Sequence, residues 1–163
     1  KHTSNRIHDL TLKRNNKIND YMHKASRMLV NHLVSNQVGT LIIGKNTGQK
    51  QDSNMGKKGN QNFVNVPIFR FFDMVAYKAR LEDIEVKFHE ESHTSKCSFL
   101  DGESPEKREN YMGKRVKRGM FKTSNGKLIN ADVNGGYNIM KKVVPDSVGN
   151  RGCAVHPIRQ TAV

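Results

Sequence analysis

Carboxylates beside small residues give the clearest chemical signal in this sequence of 163 residues. Asp132 opens a predicted helix near Gly135 and Gly136, small residues that leave room for a ligand. Glu90 and Glu91 end a predicted strand, and strand ends are where α/β folds place their sites. Mg²⁺ prefers carboxylate oxygens, and two-metal nucleases use several of them around the scissile phosphate. On spacing alone, plainer interpretations are favoured: Asp132 caps its helix, which contributes about 1 kcal/mol, and the glutamates form a solvated acidic pair.

Basic residues are the second feature. Lys and Arg total 28 against 15 acidic residues, a formal net charge of +13. This excess predicts a polyanionic partner, nucleic acid first, because phosphates neutralise such surfaces. The candidate nucleic-acid-binding residues form one dense cluster and one looser group: Lys114, Arg115, Lys117 and Arg118, then Lys45 and Lys50. A solvated basic surface is the alternative interpretation of the dense cluster.

The cellular context follows from what the sequence lacks. No apolar run approaches the roughly 20 residues that span a bilayer, and no apolar segment of a secretory signal follows the polar start. We therefore expect no membrane partner and a cytoplasmic location. Two cysteines, Cys97 and Cys153, are too few for a disulfide scaffold, so free thiols are expected. The first residue is Lys1, and we expect a fragment or a processed piece of a longer protein.

The elements that must position these residues alternate between helix and strand. Apolar spacing of three and four predicts helices, and β-branched or alternating runs predict strands. The predicted order is helix 4–36, strand 40–43, helix 67–81, strand 84–89, a hairpin over 118–129 and helix 132–142, with a polar, irregular segment 92–118 before the hairpin. Such alternation indicates an α/β layer architecture with parallel pairing of strands.

Several motifs, in this order and separation, resemble the TnpB (OrfB) proteins of bacterial insertion sequences. They are Ile42-Ile43-Gly44-Lys45-Asn46 with Lys50-Gln51, Asn62-Phe63-Val64, Tyr77-Lys78-Ala79, the run from Glu90 to Asp101, the run from Gly113 to Gly119, and the run from Asn130 to Gly135. The resemblance spans nearly the whole chain. Each motif is weak alone, and the combination is specific.

The resemblance implies an α/β, RNase H-like (RuvC-like) fold that is truncated at its N-terminus. Residues 1–145 would form a partial nuclease domain with a degenerate zinc-ribbon-like insertion at 92–129, and residues 146–163 a C-terminal tail. The implied function is transposase-family, Mg²⁺-dependent cleavage of DNA guided by an RNA, so that DNA and guide RNA are the expected partners. The alternative is a catalytically inactive, nucleic-acid-binding remnant of a transposase.

The resemblance also assigns site residues. In the family three carboxylates bind Mg²⁺, and by motif the last is Asp132. The family's usual second acid falls on Gly44, which cannot bind metal. A branch of the family, like the Fanzor relatives, is similar to this chain in placing the second acid just before the Thr-Ser motif, which here is Glu91. The alternation of strand 84–89 instead puts Glu90 on the apolar face, so Glu90 is the second choice. The first acid of the family lies upstream of these residues, and we expect the isolated piece to be inactive.

The zinc ribbon of the family is reduced in this sequence. Two Cys-x-x-Cys pairs are usual, whereas Cys97 stands here with Leu100 in the place of its partner thiol. A structural zinc site needs four ligands. We therefore predict that the hairpin folds without zinc.

Overall fold

A computed structural model describes residues 4–45, 67–145 and 156–157. These residues form a mixed α/β structure, as predicted, with a two-stranded sheet β1-β2 and a three-stranded sheet β3-β4-β5. The elements are α1 (Asn5–Ser35), β1 (Thr40–Lys45), α2 (Ile68–Arg80), β2 (Glu85–Glu90), β3 (Lys114–Lys117), β4 (Met120–Lys122), β5 (Leu128–Asn130) and α3 (Ala131–Val143). Lys50, Cys153 and most of the predicted tail 146–163 lie outside the described residues.

The chain divides into two compact units. The first contains residues 1–41, 54–86 and 160–163, and its described part is built on α1 and α2. Ser4 caps α1 by accepting a hydrogen bond from the Ile7 N–H, which confirms the predicted helix start. Apolar residues of the two helices, including Val30, Val75 and Ala79, are buried. Their periodic spacing therefore produces a packed helix pair.

A buried lysine lies in the first unit. The Lys78 side chain is 5% exposed, and its Nζ donates to the His23 carbonyl and the Ser26 hydroxyl, each at 2.7 Å. Burial, and then the charge of Arg27, lowers the pKa of the Lys78 ammonium. Both acceptors belong to α1, so Lys78 attaches α2 to that helix.

The paired strands β1 and β2 run in the same direction. Near their starts, the Glu85 N–H donates to the Gly39 carbonyl at 2.9 Å, and just beyond the end of β2, Glu91 lies against Gly44 of β1. The two contacts lie further along both strands in the same order, as they do in a parallel pair, which is the predicted pairing.

The second unit contains residues 42–53 and 87–159. Its strands β3, β4 and β5 form an antiparallel sheet, and Gly126, with φ of +85°, closes the β4–β5 turn within the predicted hairpin. Phe121 and Ile129 of these strands form a small core with Ala131 of α3. The predicted hairpin is therefore present, although β3 extends it into a segment predicted to be irregular. That prediction was wrong because all four residues of β3 are exposed, which removes the apolar alternation that signals a strand.

Buried asparagines attach the loop after β2 to helix α3. The Asn134 amide donates to the Cys97 carbonyl at 2.8 Å and its oxygen accepts from the Phe99 N–H at 3.0 Å. The Asn138 amide donates to the carbonyls of Thr94 and Cys97 at 2.9 and 2.8 Å. These hydrogen bonds make the loop part of the folded unit.

An apolar contact and a carboxylate attach loop 97–103 to the β4–β5 strands. Leu100 packs against the Phe121 core, and Cys97 is buried as a free thiol whose pKa is raised by that burial. The Asp101 carboxylate accepts from the Ser124 hydroxyl at 2.7 Å and from the Ser124 N–H at 2.9 Å. Loop 97–103 is therefore joined to the β4–β5 turn by a carboxylate. We call this pair of hydrogen bonds the Asp101–Ser124 contact.

Candidate functional site

The dense basic cluster lies on β3 and the turn that follows it. Lys114, Arg115 and Lys117 belong to β3, and Arg118 precedes Gly119, whose φ of +73° closes the β3–β4 turn. All four basic side chains are exposed. The antiparallel sheet 114–130, which we call the basic hairpin, therefore presents four positive charges along one short edge. Adjacent cations on an extended strand suit a run of backbone phosphates.

A cleft of about 370 Å³ adjoins this edge. It is lined by residues of β3, of β4 and of the segments that flank them: Tyr111, Met112, Gly113, Lys114, Lys122, Thr123 and Ser124. Lys122 was not predicted as a site residue, because its place opposite Lys114 follows from the strand register and not from proximity in sequence. The predicted hairpin over 118–129 could not pair these two lysines, because Lys114 lies in the segment that was predicted to be irregular.

Asp132 does not cap α3, contrary to the interpretation favoured by spacing alone. The cap is Asn130, whose side-chain oxygen accepts from the N–H groups of Asp132 and Val133 at 2.9 and 3.1 Å. The Asp132 side chain is 86% exposed, and its carboxylate lies 3.7 Å from the Arg115 guanidinium. Because the helix start is already capped, the Asp132 carboxylate is available for another ligand, and its nearby cation belongs to the basic cluster.

Glu91 occupies the space that a side chain at residue 44 would need. A Cβ built on Gly44 would lie 2.6 Å from the Glu91 Cγ and 2.7 Å from its Cδ, closer than atoms can approach. Glu91 is half-buried there, and that burial raises the pKa of its carboxyl. The Glu91 side chain therefore lies directly against β1 at Gly44.

Glu90 has different surroundings. It is exposed at the end of β2, beside a cleft of about 270 Å³ that Lys45, Phe88 and His89 also line. The Lys45 ammonium lies 5.9 Å above the Phe88 ring. The alternation that put Glu90 on the apolar face was misleading, because burial shifts by one residue within β2: Val86 and His89 are half-buried whereas Phe88 is exposed.

Mg²⁺ would find oxygen donors of suitable chemistry in Glu91 and Asp132. The two acids have different neighbours, Gly44 for one and Arg115 for the other. Residues 4–45, 67–145 and 156–157 contain no group of three His, Cys, Asp or Glu side chains placed to hold a metal ion. The described residues thus fit Mg²⁺ by donor type but do not complete its ligand set.

Comparison with known protein families adds an independent finding. Residues 69–139 match the family model described as Cas12f1-like, TNB domain. The match supports a TnpB/Cas12-type family relationship. It covers less than half of the chain, from α2 to α3, and contains both glutamates, the basic hairpin and Asp132. No curated protein matches the sequence significantly.

The same match points to nucleic acid as the partner, in agreement with the net charge of +13 and with the exposed basic edge. Among the described helices, none combines the length and apolar character needed to cross a membrane.

Proposed function

We propose that this chain is a transposon-associated DNA-binding protein of the TnpB/Cas12 type, and that the basic hairpin holds the DNA backbone. The observation that carries the proposal is the position of Lys114, Arg115, Lys117 and Arg118: all four are exposed on one strand and its turn, inside the segment that matches the TNB family model. Phosphate binding by such cations releases condensed counterions, which supplies affinity without sequence preference.

The DNA-binding test compares two variants with the same charge. One replaces Lys114, Arg115, Lys117 and Arg118 with alanine; the control replaces four exposed cations of α1, namely Arg6, Lys13, Arg14 and Lys17. Fluorescence anisotropy with duplex DNA at several salt concentrations gives the affinity and its salt slope. If each hairpin cation neutralises one phosphate, its loss lowers the slope by about 0.9. We expect a much larger loss of affinity in the hairpin variant, and equal losses in both variants would refute the hairpin as the DNA-binding surface.

The finer proposal is RNA-guided, Mg²⁺-dependent cleavage of DNA, with Asp132 and Glu91 as metal ligands. Support comes from the complementary fit of Glu91 to Gly44 and from the exposed Asp132 carboxylate beside Arg115. A bound Mg²⁺ would polarise the scissile phosphate and activate water. Arg115 would hold a neighbouring phosphate, and burial of Glu91 would limit access of water to that carboxylate.

Cleavage of guide-matched DNA by the protein extended with the upstream strand that would carry the first acid, in the presence of guide RNA and Mg²⁺, tests the relocated acid. Glu91→Gln and Asp132→Asn should each abolish cutting, whereas Glu90→Gln should retain it. The double variant Gly44→Glu/Glu91→Ala should recover part of the activity, because a carboxylate from residue 44 would enter the space that Glu91 leaves. Loss of cutting in Glu90→Gln with retention in Glu91→Gln would assign the role to Glu90 instead.

A second candidate function is nucleic-acid binding without cleavage. It is favoured by the separate neighbours of Glu91 and Asp132, since Asp132 lies next to a cation and not next to another acid. In that case wild-type protein would bind DNA and guide RNA with the hairpin dependence given above, yet cut neither strand in Mg²⁺.

A further inference from the structure

A pair of like charges lies at the edge of the cleft of 370 Å³. Lys114 and Lys122 are direct partners in the antiparallel register of β3 and β4, and both are exposed. Like charges placed opposite each other across strands destabilise a sheet. In the part of the chain that the structure describes, neither ammonium has an acidic partner. An anion between them would relieve the repulsion.

An aromatic ring and a thioether lie beside this pair. Tyr111 is half-buried in the cleft, and its hydroxyl accepts a hydrogen bond from the Arg108 N–H at 3.2 Å, which fixes the ring. Met112 is 54% exposed although it is a large apolar residue. A ring held in place beside an exposed methionine offers a flat apolar surface of the kind on which a base can stack.

Gly113 allows the apolar side of the cleft, formed by Tyr111 and Met112, to lie close to the lysine pair. A Cβ at residue 113 would lie 2.8 Å from the Phe121 Cζ and 2.9 Å from the Lys122 carbonyl oxygen. The backbone of segment 111–113 therefore packs directly on β4, whose Phe121 is buried in the core. The cleft is thus built on the core of the hairpin, with the apolar wall next to the lysine pair.

We propose that this cleft binds one nucleotide of a single-stranded nucleic acid, with its phosphate between Lys114 and Lys122 and its base against Tyr111. The inference rests on the proposed nucleic-acid-binding function and deepens it. A single strand is required because its bases can leave the stack, whereas those of a duplex are paired. The volume of about 370 Å³ lies within the range of small-ligand sites. DNA and RNA share the chemistry used here.

The binding test uses a fluorescein-labelled 12-nucleotide single strand, as DNA and as RNA, with a blunt duplex for comparison. Lys122→Ala is compared with Lys127→Ala, which removes another exposed lysine, in the β4–β5 turn outside the cleft. We expect Lys122→Ala to weaken single-strand binding and to lower the salt slope by about 0.7, the value for one phosphate of a single strand. Lys127→Ala should change either quantity much less.

The base contact has its own variants. Tyr111→Leu should weaken single-strand binding by about tenfold, within the range for loss of one stacked base, and leave duplex binding unchanged. Tyr111→Phe should weaken binding much less than Tyr111→Leu, because it retains the ring although it loses the hydrogen bond from Arg108. An oligonucleotide containing 5-bromouracil should photo-crosslink to Tyr111.

The free protein provides a folding control. Removing one lysine of the like-charged pair should leave the midpoint of urea unfolding unchanged or raise it. A variant that loses both stability and binding would be replaced by Lys122→Gln, which keeps most of the side-chain length without the charge.

The outcomes separate this site from the broader function. Equal effects of Lys122→Ala and Lys127→Ala, or crosslinks confined to residues outside the cleft, would overturn the nucleotide site while duplex binding by the hairpin still stood. Preference for DNA over RNA or the reverse would identify the strand. Failure of wild-type protein to bind any of the three probes would overturn both the site and the proposed function.

Discussion

Replacing Asp101 with asparagine changes one side-chain oxygen into an amide group while the shape stays the same. In the wild-type protein, one oxygen accepts from the Ser124 hydroxyl at 2.7 Å and the other from the Ser124 N–H at 2.9 Å. An amide offers one accepting oxygen, so one of these hydrogen bonds to a charged group is lost. Hydrogen bonds to charged groups contribute about 1.5–3 kcal/mol each, and partial exposure places this one at the lower end. We therefore expect Asp101→Asn to lower the free energy of unfolding by about 1.5 kcal/mol.

The dependence of stability on pH gives a second measure of the same contact. Burial alone raises the pKa of Asp101, but the neighbouring polar groups, above all the two hydrogen bonds from Ser124, outweigh it, so that the folded pKa lies below the ordinary value of 3.8. A depressed folded pKa means that the stabilisation is fully present above pH 3.8 and is lost as pH falls through the lower folded value. Asp101→Asn should remove this part of the acid dependence.

Urea unfolding between pH 2 and pH 7 and hydrogen exchange at the Ser124 amide measure these effects. Glu109→Gln, which neutralises an exposed acid of the same unit, serves as the control and should match wild type. Because hydrogen bonds to the Asp101 carboxylate join the loop to the β4–β5 turn, EDTA should leave the unfolding midpoint unchanged. An unfolding free energy of Asp101→Asn equal to that of wild type, or a midpoint lowered by EDTA, would refute the reasoning.

Three further perturbations test other contacts. Gly113→Ala should destabilise the hairpin by about 1–3 kcal/mol, as overpacking does, because the added methyl group would meet the Lys122 carbonyl oxygen, which belongs to the backbone. Urea unfolding measures this effect, with Gly136→Ala as the control, since a Cβ at residue 136 meets nothing within 4 Å. Glu91→Gln should raise the unfolding midpoint at pH 7, because a carboxyl whose folded pKa is raised loses stabilisation as pH rises through that value, and the gain should vanish under acid conditions. Asn134→Ala leaves the Cys97 carbonyl and the Phe99 N–H with fewer buried partners, and should cost about 2–4 kcal/mol in calorimetry, whereas exposed Asn110→Ala should cost little.

Long periodic patterns determined which elements could be predicted. The 31 residues of α1 carry several turns of amphipathic spacing and a serine cap, so its bounds and its start were predicted within a residue. Strand β3 has no comparable signal, because each of its residues is exposed and its pairing with β4 is made by the backbone. A hydropathy pattern cannot predict a strand of this kind, which is recognised only from its hydrogen bonds to the neighbouring strand.

The candidate site likewise contains residues that the sequence identifies and residues that only the fold identifies. Asp132 and the cations of β3 stand out by residue type and local context, whereas Asp101 and Lys122 depend on partners that only the fold brings near: Asp101 meets Ser124, 23 residues further along the chain. The surroundings of Glu90 and Glu91 also depend on the fold. Alternation along β2 put Glu90 on the apolar face, but burial shifts by one residue before the strand ends, and Glu91 is the glutamate that lies against Gly44. Which of the two would bind metal stays a prediction.

Strand β3 can carry so much positive charge because the core of the basic hairpin comes from β4 and β5. Phe121 of β4 and Ile129 of β5 are each 1% exposed, and Arg115 of β3, the register partner of Phe121, is exposed. Side chains of β3 therefore contribute little buried apolar surface, and their repulsion is opposed by packing on the neighbouring strands. Substituting these cations should leave the hairpin folded. A loss of nucleic-acid binding in such variants can then be attributed to the charges themselves.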